Sequence, residues 1–235
     1  MSETAVLMAA GLGTRMRPLT EKMPKPLIRV NGTPMIETVI RGLRERGVED
    51  IFIVAGYLKD CFYEYASSHP GLKVVENTEY RTKNNISSIH AVCDILGRSD
   101  VFICEADLYI SDPALFRTEL DRSCYFGKMV KGYSDDWVFE TGDDGFITRV
   151  GKGGTDCYNM VGISWFKRED ASILKEAIDQ AYKESGHEDL FWDEVVDRNL
   201  DRLKLVIHPV KDDRIVEIDT CEELEEAERR LEGAG

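Results

Sequence analysis

Long apolar runs are absent from this sequence. No stretch approaches the ~20 residues of a membrane span. Met1-Ser2-Glu3-Thr4 leads into an apolar segment too short for a secretory signal. Membrane insertion is therefore not expected, and the cytoplasm is the expected compartment. Cysteine spacing motifs are absent too. Cys61, Cys93, Cys104, Cys124, Cys157 and Cys221 are scattered, without a Cys-x-x-Cys pair, and read as reduced thiols filling a core. The four histidines show no zinc-ligand spacing. Positive charge is scarce: 30 Lys and Arg stand against 44 Asp and Glu, a net charge of -14. A surface that acidic repels a phosphate backbone, which argues against nucleic acid as a partner. Any bound nucleotide must then meet positive charge concentrated locally. Repeats, low-complexity tracts and linkers are missing, so residues 1–235 read as one domain.

What is present is a regular alternation of strand and helix signals. Ala5 to Ala9 is an apolar run, Gly11 to Thr20 a loop, and Leu27 to Val30 a second run. Pro34 to Arg46 has helical periodicity, with Met35, Ile36, Val39, Ile40 and Leu43 on one face and a stop at Gly47. Asp50 to Ala55 and Leu72 to Glu76 read as strands around a helix at Leu58 to Ser67. A helix over Asn85 to Leu96 precedes a buried strand, Val101 to Cys104. This pattern predicts an α/β fold with a doubly wound, mostly parallel sheet.

The rhythm changes after about Leu120. Ser123 to Met129, Trp137 to Thr141, Phe146 to Val150 and Asn159 to Phe166 read as four strands, with a hairpin signal at Asp143-Asp144-Gly145. Helices follow at Glu169 to Glu184 and Asp189 to Asn199. Strands at Leu203 to His208 and Arg214 to Ile218 then lead to a charged helix, Cys221 to Leu231. The expectation is a small β-rich lobe, roughly residues 121–200, inserted in the main domain.

The strongest local signal follows the first strand: Gly11-Leu12-Gly13-Thr14-Arg15-Met16-Arg17-Pro18-Leu19-Thr20, then Met23-Pro24-Lys25-Pro26-Leu27. Glycines at a strand end let the backbone turn tightly and bring N–H groups against an anion. Arg15 can grip phosphate oxygens as a fork, and Lys25 supplies a point charge on a turn stiffened by two prolines. The third glycine of a dinucleotide fingerprint and the Gly-Lys-Ser/Thr of a Walker loop are both missing. Two aspartates stand at strand ends where α/β sheets bind ligands: Asp107 after Val101 to Cys104, and Asp219 after Val216-Glu217-Ile218. The less favoured reading of Asp219 is a helix N-cap before Thr220 and Cys221. Glu105 and Glu217 flank the pair.

These motifs, with Val54-Ala55-Gly56-Tyr57, Asn84-Asn85 and Glu105-Ala106-Asp107, resemble the signature of the sugar-phosphate nucleotidyltransferase superfamily over almost the whole chain. Within it the sequence is most similar to bacterial CTP:phosphocholine cytidylyltransferases, through Asn84-Asn85, Trp137 and Asp189-Leu190-Phe191-Trp192-Asp193. The resemblance implies a Mg²⁺-dependent enzyme that transfers CMP from CTP to a small phosphorylated acceptor. Gly11, Gly13, Thr14, Arg15 and Lys25 would hold the triphosphate, and Asp107 and Asp219 the metal. Arg15, Lys25 and Asp107 would carry the catalysis. Ala9, Ala10, Asn84, Ser87 and Ser88 would meet the base, although Asn85 or Ser87 could instead cap a helix. Cytosine is implied by the resemblance alone.

Lys128, Lys131 and Lys152 are candidates for the acceptor phosphate, with Lys152 best placed beside Gly153-Gly154. Trp137, Phe191 and Trp192 could cage a cationic head group, since ring faces attract cations by ~0.5–2 kcal/mol each. Asp193 and its acidic neighbours favour a cation too. The sequence thus leans to phosphocholine. The alternatives are 2-aminoethylphosphonate, a sugar-1-phosphate, or a non-catalytic nucleotide sensor on the same fold.

Overall fold

The structure is a computed structural model that describes residues 3–211 and 214–232. Its strands are β1 (Glu3–Ala9), β2 (Arg29–Val30), β3 (Thr33–Pro34), β4 (Asp50–Ala55), β5 (Leu72–Glu76), β6 (Asp100–Glu105), β7 (Leu108–Ile110), β8 (Cys124–Thr141), β9 (Ile147–Phe166), β10 (Val206–Pro209) and β11 (Ile215–Glu217). The α-helices are α1 (Met35–Arg46), α2 (Lys59–Ser67), α3 (Ile86–Ala91), α4 (Arg168–Ala181), α5 (Trp192–Asp197) and α6 (Cys221–Glu232). Seven strands form one sheet in the order β10-β8-β9-β6-β1-β4-β5. β6, β1, β4 and β5 run parallel, β9 enters antiparallel to β6, and β10 lies parallel to β8. This is the mostly parallel sheet read from the sequence.

Strand alternation explains why helices cover both faces. Along β1, Ala5, Leu7 and Ala9 point to one core and Val6 to the other. The first core takes Ile36, Val39, Ile40 and Leu43 of α1 and Phe62 of α2. The second takes Ile86 and Ile89 of α3, Leu174 and Ile178 of α4, and Val195 and Val196 of α5. A third, smaller cluster joins Met16, Ile28, Val30, Met35, Ile218 and Ala227. It fastens the glycine loop to the strand-end that carries Asp219. No helix among the described residues is long and apolar enough to cross a membrane.

Two expectations need correction. The helix expected over residues 85–96 is α-helical only from Ile86 to Ala91. Beyond it the N–H groups of Val92, Cys93 and Ile95 bond three residues back, in successive turns. Branched Val92 and Ile95 suit such turns better than a continued helix. The four strands expected after residue 120 are two long bent ones. β8 and β9 pair through bulges, and Val138 meets Asn159 on one side and Gly151 on the other. The middle of β8 is mostly polar and exposed and that of β9 mostly half-buried, so no clear apolar alternation marked either as strand; backbone pairing carries them.

Candidate active site

The carboxyl ends of β1, β6 and β11 meet at one cleft of about 440 Å³, within the range of small-molecule sites. Its lining includes Ala9, Ala10, Gly11, Gly13, Thr14, Arg15, Lys25, Ser88, Asp107 and Asp219. Ten expected residues therefore share one cavity, although the chain between Ala9 and Asp219 separates them. Gly13 adopts φ 59°, and a Cβ there would lie 3.0 Å from both Lys25 Cβ and Thr20 Cγ2. The loop can close on the Pro24-Lys25-Pro26 turn only because that Cβ is missing. The Thr20 hydroxyl donates to the Gly13 carbonyl at 2.9 Å, and the Tyr57 hydroxyl to the Thr20 carbonyl at 2.9 Å. Gly56 lets Tyr80 in: a Cβ would stand 2.7 Å from the Tyr80 ring and 2.9 Å from the Ala10 carbonyl oxygen.

Lys25 is the electrostatic centre. Its side chain is 8% exposed, and Nζ lies 2.7 Å from Asp107 Oδ2 and 2.6 Å from Asp219 Oδ1. Burial alone would lower its pKa, but the two carboxylates outweigh burial and the net shift is upward. Arg15 reaches the same Asp219 oxygen at 2.9 Å while its side chain stays 68% exposed, free to meet an incoming anion. The alternative role of Asp219 as a helix cap is taken by its neighbour. Thr220 Oγ1 accepts from the Glu223 N–H at 3.2 Å, and Glu223 Oε2 accepts from the Thr220 N–H at 2.9 Å, a reciprocal capping box on α6. Asp219 is left to face the cleft.

Two carboxylates converging on one cationic point suit Mg²⁺, which takes few protein oxygens and completes its shell with phosphate and water. Among the described residues no group of three or more His, Cys, Asp or Glu has metal-binding geometry. The two-carboxylate arrangement of Asp107 and Asp219 fits an ion that completes its shell with triphosphate oxygens.

Glu105 and Glu217 line the same cleft. Burial, then the nearby Asp107, Glu217 and Asp193, hold the Glu105 carboxyl well above its ordinary range. Glu217 is pushed to about 7 by burial and by Asp219 and Asp107, with Asp136 adding to the repulsion.

The residues expected to meet the base are divided by the fold. Ser88 lines the cleft; Ser87 and Asn84 do not. Ser87 is buried, accepts from Asn77 Nδ2 at 2.8 Å and donates to the Asn84 carbonyl at 2.7 Å. Asn84 turns its side-chain amide to the Asp189 carbonyl at 3.1 Å. Their places are taken by Tyr80 and Asn85. Asn85 stood out in the sequence as half of the Asn84-Asn85 motif and as a possible cap, and no local signal marked Tyr80.

The expected three-ring cage is also corrected. Trp137 and Phe191 do meet edge to face at 5.3 Å, with Lys152 Nζ 5.8 Å and 5.3 Å from their ring centres. They line a separate depression that shares no lining residue with the main cleft. Trp192 is 5% exposed and packs in the second core against Tyr125 and Phe166. A tryptophan at the first turn of a short amphipathic helix is drawn inward by its area. Asp193 is buried beside it and accepts from the Tyr125 hydroxyl at 2.9 Å. Trp192 and Asp193 instead wall a cavity of about 10 Å³ with Met8, Glu105, Tyr125 and Met160. Met8 and Glu105 also line the main cleft, so this cavity lies directly behind it.

Residues 5–145 match the MobA-like NTP transferase domain. The chain is 55% identical to the 2-aminoethylphosphonate cytidylyltransferase of Lancefieldella rimae, over 94% of this chain and 89% of that protein. It is 34% identical to the choline-phosphate cytidylyltransferase of Streptococcus pneumoniae, over 97% of each. The solved structure of CTP:phosphocholine cytidylyltransferase from Streptococcus pneumoniae superposes with a TM-score of 0.90 at 33% identity, covering 98% of this chain and 100% of that one. With the fold shared along the whole chain and the domain matched over residues 5–145, the chain belongs to the nucleotidyltransferases with a MobA-like NTP transferase domain, as do these cytidylyltransferase relatives.

Proposed function

We propose that this protein transfers CMP from CTP to 2-aminoethylphosphonate, releasing pyrophosphate. A phosphonate oxygen attacks the α-phosphorus of CTP, a new P–O bond forms, and the bond from the α-phosphorus to the bridging oxygen of pyrophosphate breaks. The nucleophile is already anionic, so the protein's work is positioning and charge neutralisation. Gly11, Gly13 and Thr14 offer backbone to the triphosphate, and Arg15 and Lys25 offset its charge. Asp107 and Asp219 would hold Mg²⁺, which supplies further neutralisation of the phosphate oxygens when bound. Ala9, Ala10, Tyr80, Asn85 and Ser88 surround the base.

The observation that carries the acceptor is the cavity behind Glu105. Its 10 Å³ admits one water-sized group. Glu105 and Asp193 both wall it, and each carboxyl is held above its ordinary range. A primary ammonium matches that size and brings N–H donors to Glu105 and to Asp193, whose one bonded side-chain partner is the neutral Tyr125 hydroxyl. A trimethylammonium is several times larger and has no N–H to give. The similarity to the Lancefieldella rimae enzyme supports the same acceptor. Phosphocholine is the second reading, favoured by the Trp137–Phe191 pair, although Lys152 already stands over those rings. The test is pyrophosphate release with four nucleoside triphosphates against 2-aminoethylphosphonate, phosphocholine, phosphoethanolamine and glucose-1-phosphate. A higher kcat/KM for phosphocholine than for 2-aminoethylphosphonate overturns the choice of acceptor. Absence of turnover with every pair points to the sensor reading.

A further inference from the structure

Nucleotide-side and acceptor-side segments are joined by one short backbone seam. The Asn84 N–H donates to the Glu188 carbonyl at 2.7 Å, and Asn84 Nδ2 donates to the Asp189 carbonyl at 3.1 Å. From the other side, the Trp192 N–H donates to Asn85 Oδ1 at 3.0 Å. Asn84 Oδ1 in turn accepts from the Asn85 N–H at 2.8 Å, so both ends of its amide are engaged within the seam. The residues on one side of this seam, Asn85 and Ser88, line the nucleotide cleft. Those on the other, Trp192 and Asp193, wall the cavity behind Glu105. The acceptor segment is stiff beyond the seam as well. Glu194 Oε2 accepts from the Phe191 N–H at 2.8 Å, closing the first turn of α5.

We propose that Asn84 is a positioning residue for the acceptor: its amide fixes the 188–193 segment against the nucleotide-side loop and thereby sets acceptor affinity, without touching the base. Asn84 could have been a base reader by its place in the sequence. Its committed hydrogen bonds leave the reading to Asn85, Ser88 and Tyr80, and give Asn84 a different job. Among the described residues the side-chain bonds between residues 188–193 and the nucleotide-side loop come from Asn84 and Asn85, so loss of the Asn84 amide leaves the N-terminal end of the segment tied by the backbone bond from the Asn84 N–H to the Glu188 carbonyl and loosens the hold on Asp189. Rigid placement matters here because an ammonium group in a one-molecule cavity tolerates little displacement of its carboxylate. The inference rests on the 188–193 segment binding the acceptor, as argued above.

The experiment is steady-state kinetics of Asn84→Ala and Asn84→Asp, with the wild type's best acceptor and its best triphosphate. Asn84→Asp is isosteric, keeps the acceptor for the Asn85 N–H and sets a carboxylate against the Asp189 carbonyl. It therefore tests the seam even if the alanine variant folds poorly. The expected result is an acceptor KM raised at least about fivefold, the scale of one lost hydrogen bond. The KM for CTP and the CTP-to-UTP preference should stay within twofold of wild type. Ser88→Ala serves as the contrast and should move the nucleotide parameters. A rise in the KM for CTP, a loss of base preference, or an acceptor KM unchanged in both variants overturns the proposal. The acceptor's chemical identity is decided on the wild-type enzyme alone, so a wrong acceptor choice and a wrong role for Asn84 give different results.

Discussion

Replacing Asp193 by Asn should change how stability depends on pH. Asp193 is 4% exposed, and burial, opposed by the Tyr125 hydroxyl bond, raises its pKa from 3.8 to about 7. Tyr125, Glu194 and, through the shared cavity, Glu105 face it; no cationic side chain is bonded to it. In the unfolded chain the carboxyl ionises near 4, in the folded chain near 7. Between those values the folded state holds a proton that the unfolded state has released. Stability is therefore full below pH 4, falls as pH rises to 7, and is flat above. A difference of about three pH units at 1.36 kcal/mol each gives a loss on the order of 4 kcal/mol. Asn is neutral throughout and keeps the Tyr125 bond through its carbonyl, so this loss disappears in the variant. Its extra N–H donors cost a pH-independent ~1–3 kcal/mol if unpaired. The diagnostic is thus the slope. The Tm of Asn minus that of wild type should rise by on the order of 10 °C between pH 4.5 and pH 8. Thermal melts across that range measure it. Parallel curves for the two proteins would refute the reasoning. The same variant should raise the acceptor KM while leaving the KM for CTP near wild type.

Asp107→Ala and Asp219→Ala should each lower kcat more than tenfold at saturating Mg²⁺, a loss above ~1.4 kcal/mol; a smaller loss removes that residue from the metal's principal ligands. Lys25→Ala should be severely impaired and Lys25→Arg only partly restored, because the 8% exposed site with partners at 2.6 and 2.7 Å accommodates a point charge and not a planar fork; wild-type kinetics in the arginine variant would contradict this. CTP should be preferred over UTP by a large factor, since an amino group and a carbonyl leave different partners unpaired; equal use would exclude a cytidine-specific site. Trp192→Ala should destabilise by ~3–5 kcal/mol as a core truncation, while Trp137→Ala, only partly buried at the edge of that core and outside the acceptor cavity, should cost less and leave acceptor KM near wild type; the reverse pattern in melts would return Trp192 to the cage.

The parallel sheet was legible because β1, β4 and β6 are buried on both faces and read as short apolar runs between helical periods. That the glycine loop and Lys25 share a cleft was legible for a related reason. Gly13, Pro24, Lys25 and Pro26 are local choices that only a tight anion-binding turn demands, and each acts within a few residues of its neighbours. Asp107 and Asp219 were legible as strand ends, but whether Asp219 caps α6 or faces the cleft was not. That depended on Thr220 and Glu223 closing the cap between themselves.

What the sequence by itself determined is the set of groups that act through local backbone chemistry: strands, the glycine loop, the charged turn and the carboxylates at strand ends. What only the tertiary structure decided is which way the polar and aromatic side chains of residues 84–88 and 189–193 turn. Trp192 faces the core because the sheet offers Tyr125 and Phe166 to cover its area. Asn84 is drawn away from the cleft by two carbonyls more than a hundred residues downstream. Such orientations are set by partners distant in the chain, and one-dimensional spacing carries no information about them.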